Sequence, residues 1–155
     1  GYSRAMEEQG LTPVTLRSEQ RSSFSVGATL MARILEENPD VDGIFCTNDD
    51  VAIGAFFECQ RRAISVPERI AIAGFHGHDV GRVMVPPLAS VITPREAVGQ
   101  RAAQELLARL GGAGITEPRI YLGYRIAASF THLTLPPLSS LYLSAFSSPT
   151  THHTT

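Results

Sequence analysis

Charge runs out before the chain does. After Arg125 none of the last thirty residues is Asp, Glu, Lys or Arg, although these types make up 18% of the whole. Simple proportion would place about five there. Ser, Thr, Pro and paired His take over, so residues 127–155 are expected to be disordered, or to be sequence not selected to belong to the fold. The apolar part of this tail, 133–146, is interrupted by Pro136-Pro137 and is too short to span a bilayer. No membrane partner is expected.

Other scarcities exclude further classes. There are two cysteines. Cys46 ends an apolar strand and Cys59 lies in an amphipathic helix, so both read as reduced, packed thiols, with no disulfide framework and no zinc spacing. A reducing cytoplasm fits that usage. Cationic excess is also missing, with 13 Lys and Arg against 15 Asp and Glu and a formal charge of −2. Such a balance supplies no field to hold a polyanion, so this stretch by itself should not bind DNA. No secretory leader is visible, and Gly1 to Met6 already read as mid-helix without a cap or initiator Met, so the true start is expected upstream. No Gly-x-Ser-x-Gly elbow and no phosphate loop occur, Ser65 and Ser90 sit at plain strand edges, and no cofactor motif is present. An enzyme is therefore not expected.

What remains is enough for one core, since 43% of the residues are hydrophobic. Apolar runs alternate with helix-period segments, the pattern of βα units around a mostly parallel sheet. Strands are expected at 11–16, 41–46, 69–75, 88–92 and 119–126. Helices are expected at 25–37, closed by Asn38-Pro39, at 49–61, and at 95–110, opened by Pro94 and stopped by Gly111-Gly112. A short helical turn fits 79–83.

Two segments carry the functional information. Phe45 to Ala55 (FCTNDDVAIGA) and Ala71 to Asp79 (AIAGFHGHD) each read as a buried strand that delivers polar residues at its end. In open α/β sheets that is where ligands bind. Asn48 or Asp49 would also cap the helix that follows, with its neighbours facing outward.

The ordered set DGIFCTNDDVAIGA, VPERIAIAGF, PPLASV and a closing helix with LLARL resembles the effector-binding core of the LacI/GalR family of bacterial repressors. GFHGHD and AFFECQR resemble its gluconate-operon repressor branch in particular. The resemblance covers residue 1 to about residue 125. It implies an α/β fold of the periplasmic-binding-protein-like type I, with a largely parallel sheet flanked by helices. Residues 1–126 would be a partial effector-binding and dimerisation domain, mainly the C-terminal subdomain. Helix 95–110 would belong to the other subdomain, and the helix-turn-helix domain and most of the N-terminal subdomain would be absent.

The resemblance also implies roles for residues. Asn48 and Asp50 match positions that hydrogen-bond sugar hydroxyls, chemistry suited to an amide and a carboxylate; capping and dipole complementation are the alternative. Ser22 and Ser23 lie on a loop lining the family's cleft, or are turn material. His76 stands where most relatives carry Asp, a change that favours an anionic sugar acid over a neutral sugar. His76, His78 and Asp79 could instead ligate a metal, but three donors on one loop without a fourth partner read as solvated groups, and no metal is expected. Arg95 could supply a carboxylate fork or be an exposed first-turn residue. Ile53, Phe56 and Phe57, with Val83 and Met84, match regions through which family members dimerise, core packing being the alternative; a patch containing Ile53 and Met84 is favoured. The implied function is a repressor's ligand-sensing part, acting on operator DNA only through the absent domain. A transport binding protein of the same fold is the second reading and a sugar-handling enzyme a distant third.

Overall fold

The computed structural model describes residues 1–112, 114, 118–127 and, for the backbone alone, 141–146. Their elements are α1 (Tyr2–Glu8), β1 (Val14–Ser18), α2 (Phe24–Glu37), β2 (Gly43–Cys46), α3 (Asp49–Arg61), β3 (Ala71–His76), α4 (Asp79–Val83), β4 (Ala89–Ile92), α5 (Arg95–Leu110), β5 (Arg125–Ala127) and β6 (Leu141–Phe146). One six-stranded sheet runs β1-β6-β2-β3-β4-β5. The first five strands in that order are parallel to their neighbours and only β5 pairs antiparallel, on β4.

Two segments depart from expectation. Residues 141–146, assigned from sequence to the tail, are hydrogen-bonded into the sheet between β1 and β2, with Tyr142 opposite both Val14 and Ile44. Its backbone groups are thus paired with a strand on each side. The other tail residues, 128–140 and 147–155, lie outside the described residues. The expected strand at 119–126 shrinks to Arg125–Ala127 because Gly123 takes φ +75, which breaks an extended run.

Helix α2 opens on Ser23, whose Oγ accepts the Val26 N–H at 3.2 Å, and buries Val26, Leu30, Met31 and Ile34 on one face. Helix α3 opens on Asn48, whose Oδ1 accepts the Val51 N–H at 3.1 Å. The two helices cross at glycines. A Cβ on Gly27 would lie 2.3 Å from the Val51 carbonyl oxygen, and one on Gly54 would lie 2.0 Å from that of Phe24. Only backbone without side chains can approach so closely. Their inner faces join Ile44, Cys46, Ile70 and Ile72 of the sheet region in one core.

At the far end of α3 the side chain of Glu58, 6% exposed, takes Arg61 Nε and Nη2 at 2.7 and 2.6 Å and Arg62 Nε at 2.5 Å. The Arg61 hydrogen bonds lead in holding its carboxyl down to about 2; burial opposes them and Arg62 assists. Beside it the Cys59 thiol is pushed up to about 11, chiefly by burial and then by the Glu58 charge. Helix α5 buries none of its residues, and Leu106, Leu107 and Leu110 on it are exposed.

Candidate functional site

Because β1, β2, β3 and β4 run parallel, their C-terminal ends share one edge, and each nominated polar residue lies just beyond one of them. Ser22 and Ser23 follow β1, Asn48 and Asp50 follow β2, His76 ends β3, and Arg95 follows β4. The register sets His76 opposite Ile92, three residues before Arg95.

Side-chain contacts tie the first three loops together. Asn48 Nδ2 donates to Ser22 Oγ at 2.7 Å while its Oδ1 caps α3. Capping and site chemistry thus use opposite ends of one amide, which leaves one N–H of Asn48 and the Ser22 hydroxyl hydrogen to donate onward. Ser23 spends its Oγ on the α2 cap. Thr47 Oγ1, between β2 and Asn48, is buried without a hydrogen-bond partner among the described residues. Across the edge, His78 Nδ1 lies 3.3 Å from Asp50 Oδ1, and the His76 ring stacks over His78 with centroids 6.4 Å apart and planes 18° from parallel. His76 also meets Phe75 edge-on at 5.0 Å. Among the described residues no group of three or more His, Cys, Asp or Glu side chains is arranged to hold a metal.

Arg95 stands apart. It is exposed in the first turn of α5 and lines an open cleft of about 600 Å³ with Gln100, Tyr124 and Arg125, a space that touches neither Asn48 nor His76.

Asp49 corrects the expectation that the neighbours of the cap face outward. Its side chain is fully buried, accepting the His78 backbone N–H at 2.5 Å on Oδ2 and the Ser90 hydroxyl at 2.7 Å on Oδ1. Ser90 Oγ in turn accepts the Gly77 N–H at 3.1 Å. Ser90 is therefore no plain strand-edge residue. The available hint was Gly74, since a glycine inside a strand marks a close approach. A Cβ there would fall 2.2 Å from Asp49 Oδ1.

The expected dimer face also needs correction. Ile53 is 0% and Phe56 4% exposed, both within the chain's own core, so neither has surface to offer a second copy. Met84 is half-buried against the same core. Val83, in contrast, is 73% exposed, and Phe57, Val80 and Val85 are exposed too. Helical spacing alone could not separate these, because α3 is covered by α2 on one side and by the sheet on another.

Residues 1–129 match the family described as periplasmic binding protein-like domain. The chain is 51% identical over 127 residues to the HTH-type transcriptional regulator GntR of Escherichia coli (strain K12), covering 82% of this chain and 38% of that protein. It is 48% identical over 126 residues to the HTH-type transcriptional regulator IdnR of the same strain, covering 81% and 38%. Among solved structures, the transcription regulator GntR from Chromobacterium violaceum superposes with a TM-score of 0.67 at 44% identity, over 70% of this chain and 40% of that one. The chain thus spans about two fifths of the length of the curated relatives it matches.

Proposed function

The chain belongs to the periplasmic binding protein-like family, in the form carried by LacI/GalR regulators of the gluconate-repressor branch, and from that premise we propose that it senses a sugar acid for a transcriptional regulator. Gluconate is the first candidate. The observation that carries this reading is the chemistry of the shared strand edge. Ser22 and Asn48 offer hydroxyl and amide donors, and the position after Gly74-Phe75 holds an imidazole instead of a carboxylate. Asp50 on that edge is engaged by His78. An anionic ligand would meet donors and imidazoles there. Ser22, Asn48, His76 and Asp50 with His78 are proposed to touch the effector. Ser23 shapes the loop as a cap, and Arg95 reaches a ligand only by swinging over from its own cleft.

Binding, not turnover, is the proposed activity. Effector binding would shift a two-state equilibrium that the DNA-binding part of a whole regulator reads. The regulator would work in the cytoplasm as a homodimer, with Val83 and Phe57 at a two-fold patch. No helix among the described residues is long and apolar enough to cross a membrane.

The test is titration calorimetry on a regulator of the relatives' full length that carries this chain. Gluconate should bind more tightly than glucose, and His76→Asp should weaken gluconate through like-charge repulsion. Equal or tighter binding of glucose overturns the reading.

A further inference from the structure

We infer that Asp49 and Ser90 are positioning residues for this site, a buried carboxyl and hydroxyl that together hold the loop carrying His76 and His78. Three elements converge on them. Asp49 comes from the first turn of α3, Ser90 from β4, and Gly74 on β3 supplies the gap into which Asp49 Oδ1 fits. Both oxygens of Asp49 are used, one on the His78 N–H and one on the Ser90 hydroxyl, and Ser90 passes the connection on to the Gly77 N–H. Successive amides of the loop are therefore tied to side chains and not to a neighbouring strand.

The loop needs such ties. His76 adopts φ 101 and Gly77 φ 71, two left-handed residues in a row, and the first bears a Cβ. A residue of that kind stays in such a conformation only where its surroundings over-determine it. Packing alone is an inadequate cause, because a buried carboxyl and hydroxyl weaken a core unless their hydrogen bonds are made. Nothing about the α3 cap requires Asp49 to reach 41 residues along the chain to Ser90, since Asn48 already caps the helix. What the contact does fix is the backbone on which the imidazoles of His76 and His78 stack and from which His78 meets Asp50.

That these rings meet an effector rests on the function proposed above; that the pair holds the loop does not. The first experiment is accordingly ligand-free. In the full chain, amide hydrogen exchange and imidazole spectra are recorded by NMR for the unsubstituted protein, Ser90→Ala, Ser90→Thr and Asp49→Asn. In Ser90→Ala the Gly77 and His78 amides should exchange faster by roughly tenfold or more, while Met31 and Ile34 in α2 keep their protection. The ring signals of His76 and His78 should shift together with those amides. Ser90→Thr, which keeps the hydroxyl, should restore both. Asp49→Asn keeps an acceptor but loses one oxygen, and should move the same amide and ring signals. Unchanged protection and unchanged ring signals in Ser90→Ala and Asp49→Asn overturn the inference, as does a Ser90→Thr protein that behaves like Ser90→Ala.

The second experiment titrates sodium gluconate into a full-length regulator carrying the chain. Ser90→Ala, which removes both hydrogen bonds of the hydroxyl, should weaken binding by about tenfold, with Ser90→Thr close to the unsubstituted protein. If the unsubstituted regulator fails to bind gluconate, the proposed function falls and the amide result stands by itself. If it binds and Ser90→Ala binds equally well, the positioning role falls.

Discussion

Replacing Gly54 by alanine should weaken the fold, although alanine is by about 1 kcal/mol the better residue inside a helix. The added Cβ would sit 2.0 Å from the Phe24 carbonyl oxygen, 2.8 Å from its carbon and 2.9 Å from the Phe24 Cα. The first of these is about 1 Å inside the closest approach that real Cβ atoms make. All three are backbone atoms, so no rotamer change relieves them and α2 must shift away from α3. Overpacking of this kind typically costs about 1–3 kcal/mol, and an overlap with rigid backbone belongs at the upper end. Subtracting the propensity gain leaves a net loss of about 1–2 kcal/mol. Gly99, on α5, is the control, because a Cβ there meets nothing within 4 Å. The same substitution at Gly99 should leave the urea midpoint unchanged or raise it. Gly27→Ala presses the same two helices apart, with its Cβ 2.3 Å from the Val51 oxygen, so the Gly27→Ala, Gly54→Ala double variant should lose less than the sum of the singles. Urea unfolding followed by far-ultraviolet circular dichroism measures all four. A Gly54→Ala midpoint at or above that of the unsubstituted protein would mean that α2 and α3 do not cross in this contact.

Three further outcomes follow from the geometry. Glu58 is held down to about 2 from an ordinary 4.5, first by the Arg61 hydrogen bonds; a depressed folded value means its contribution is present above pH 4.5 and disappears as pH falls toward 2. Glu58→Gln should therefore lower the urea midpoint at pH 7 and flatten the dependence on pH across that window, and an equally steep dependence would remove Glu58 from the account. Cys59, fully buried and pushed up to about 11, should resist iodoacetamide at pH 8 in the folded protein and react once urea unfolds it, as read by mass spectrometry; rapid native labelling would place the thiol at the surface. Val83→Asp changes a residue that is 73% exposed, so it should leave the unfolding midpoint in place while turning a full-length regulator from dimer to monomer in analytical ultracentrifugation; a persisting dimer would move the interface elsewhere.

Much of the architecture was legible in sequence because local chemistry and global fold agree. Apolar runs bounded by polar loops marked β2, β3 and β4, Pro94 and Gly111 bracketed α5, and the NDD segment announced the start of α3. Parallel connection places every strand's polar end on one edge, where Ser22, Ser23, Asn48, Asp50, His76 and Arg95, the residues singled out by the family resemblance, follow or end their strands. Their type of chemistry follows from side-chain identity, which needs no fold at all.

Pairing between distant segments was not legible, because hydrogen bonds across 26 to 41 residues leave no periodicity in either partner. Asp49 and Asp50 are adjacent in a helix's first turn and differ by about 100° around its axis. That rotation buries one beneath the His76 loop and leaves the other at the edge against His78. In the same way Ile53 and Phe57 are both apolar residues of α3, yet the former is covered by its own core and the latter faces outward. Even the strand at 141–146 carries no signature beyond its apolar composition, since only the gap between β1 and β2 gives it hydrogen-bonding partners. Sequence by itself determined which groups could act and at which edge of the sheet they would gather. Tertiary structure alone decided which of them are spent on one another, because desolvation and hydrogen-bond satisfaction depend on neighbours that only folding brings within reach.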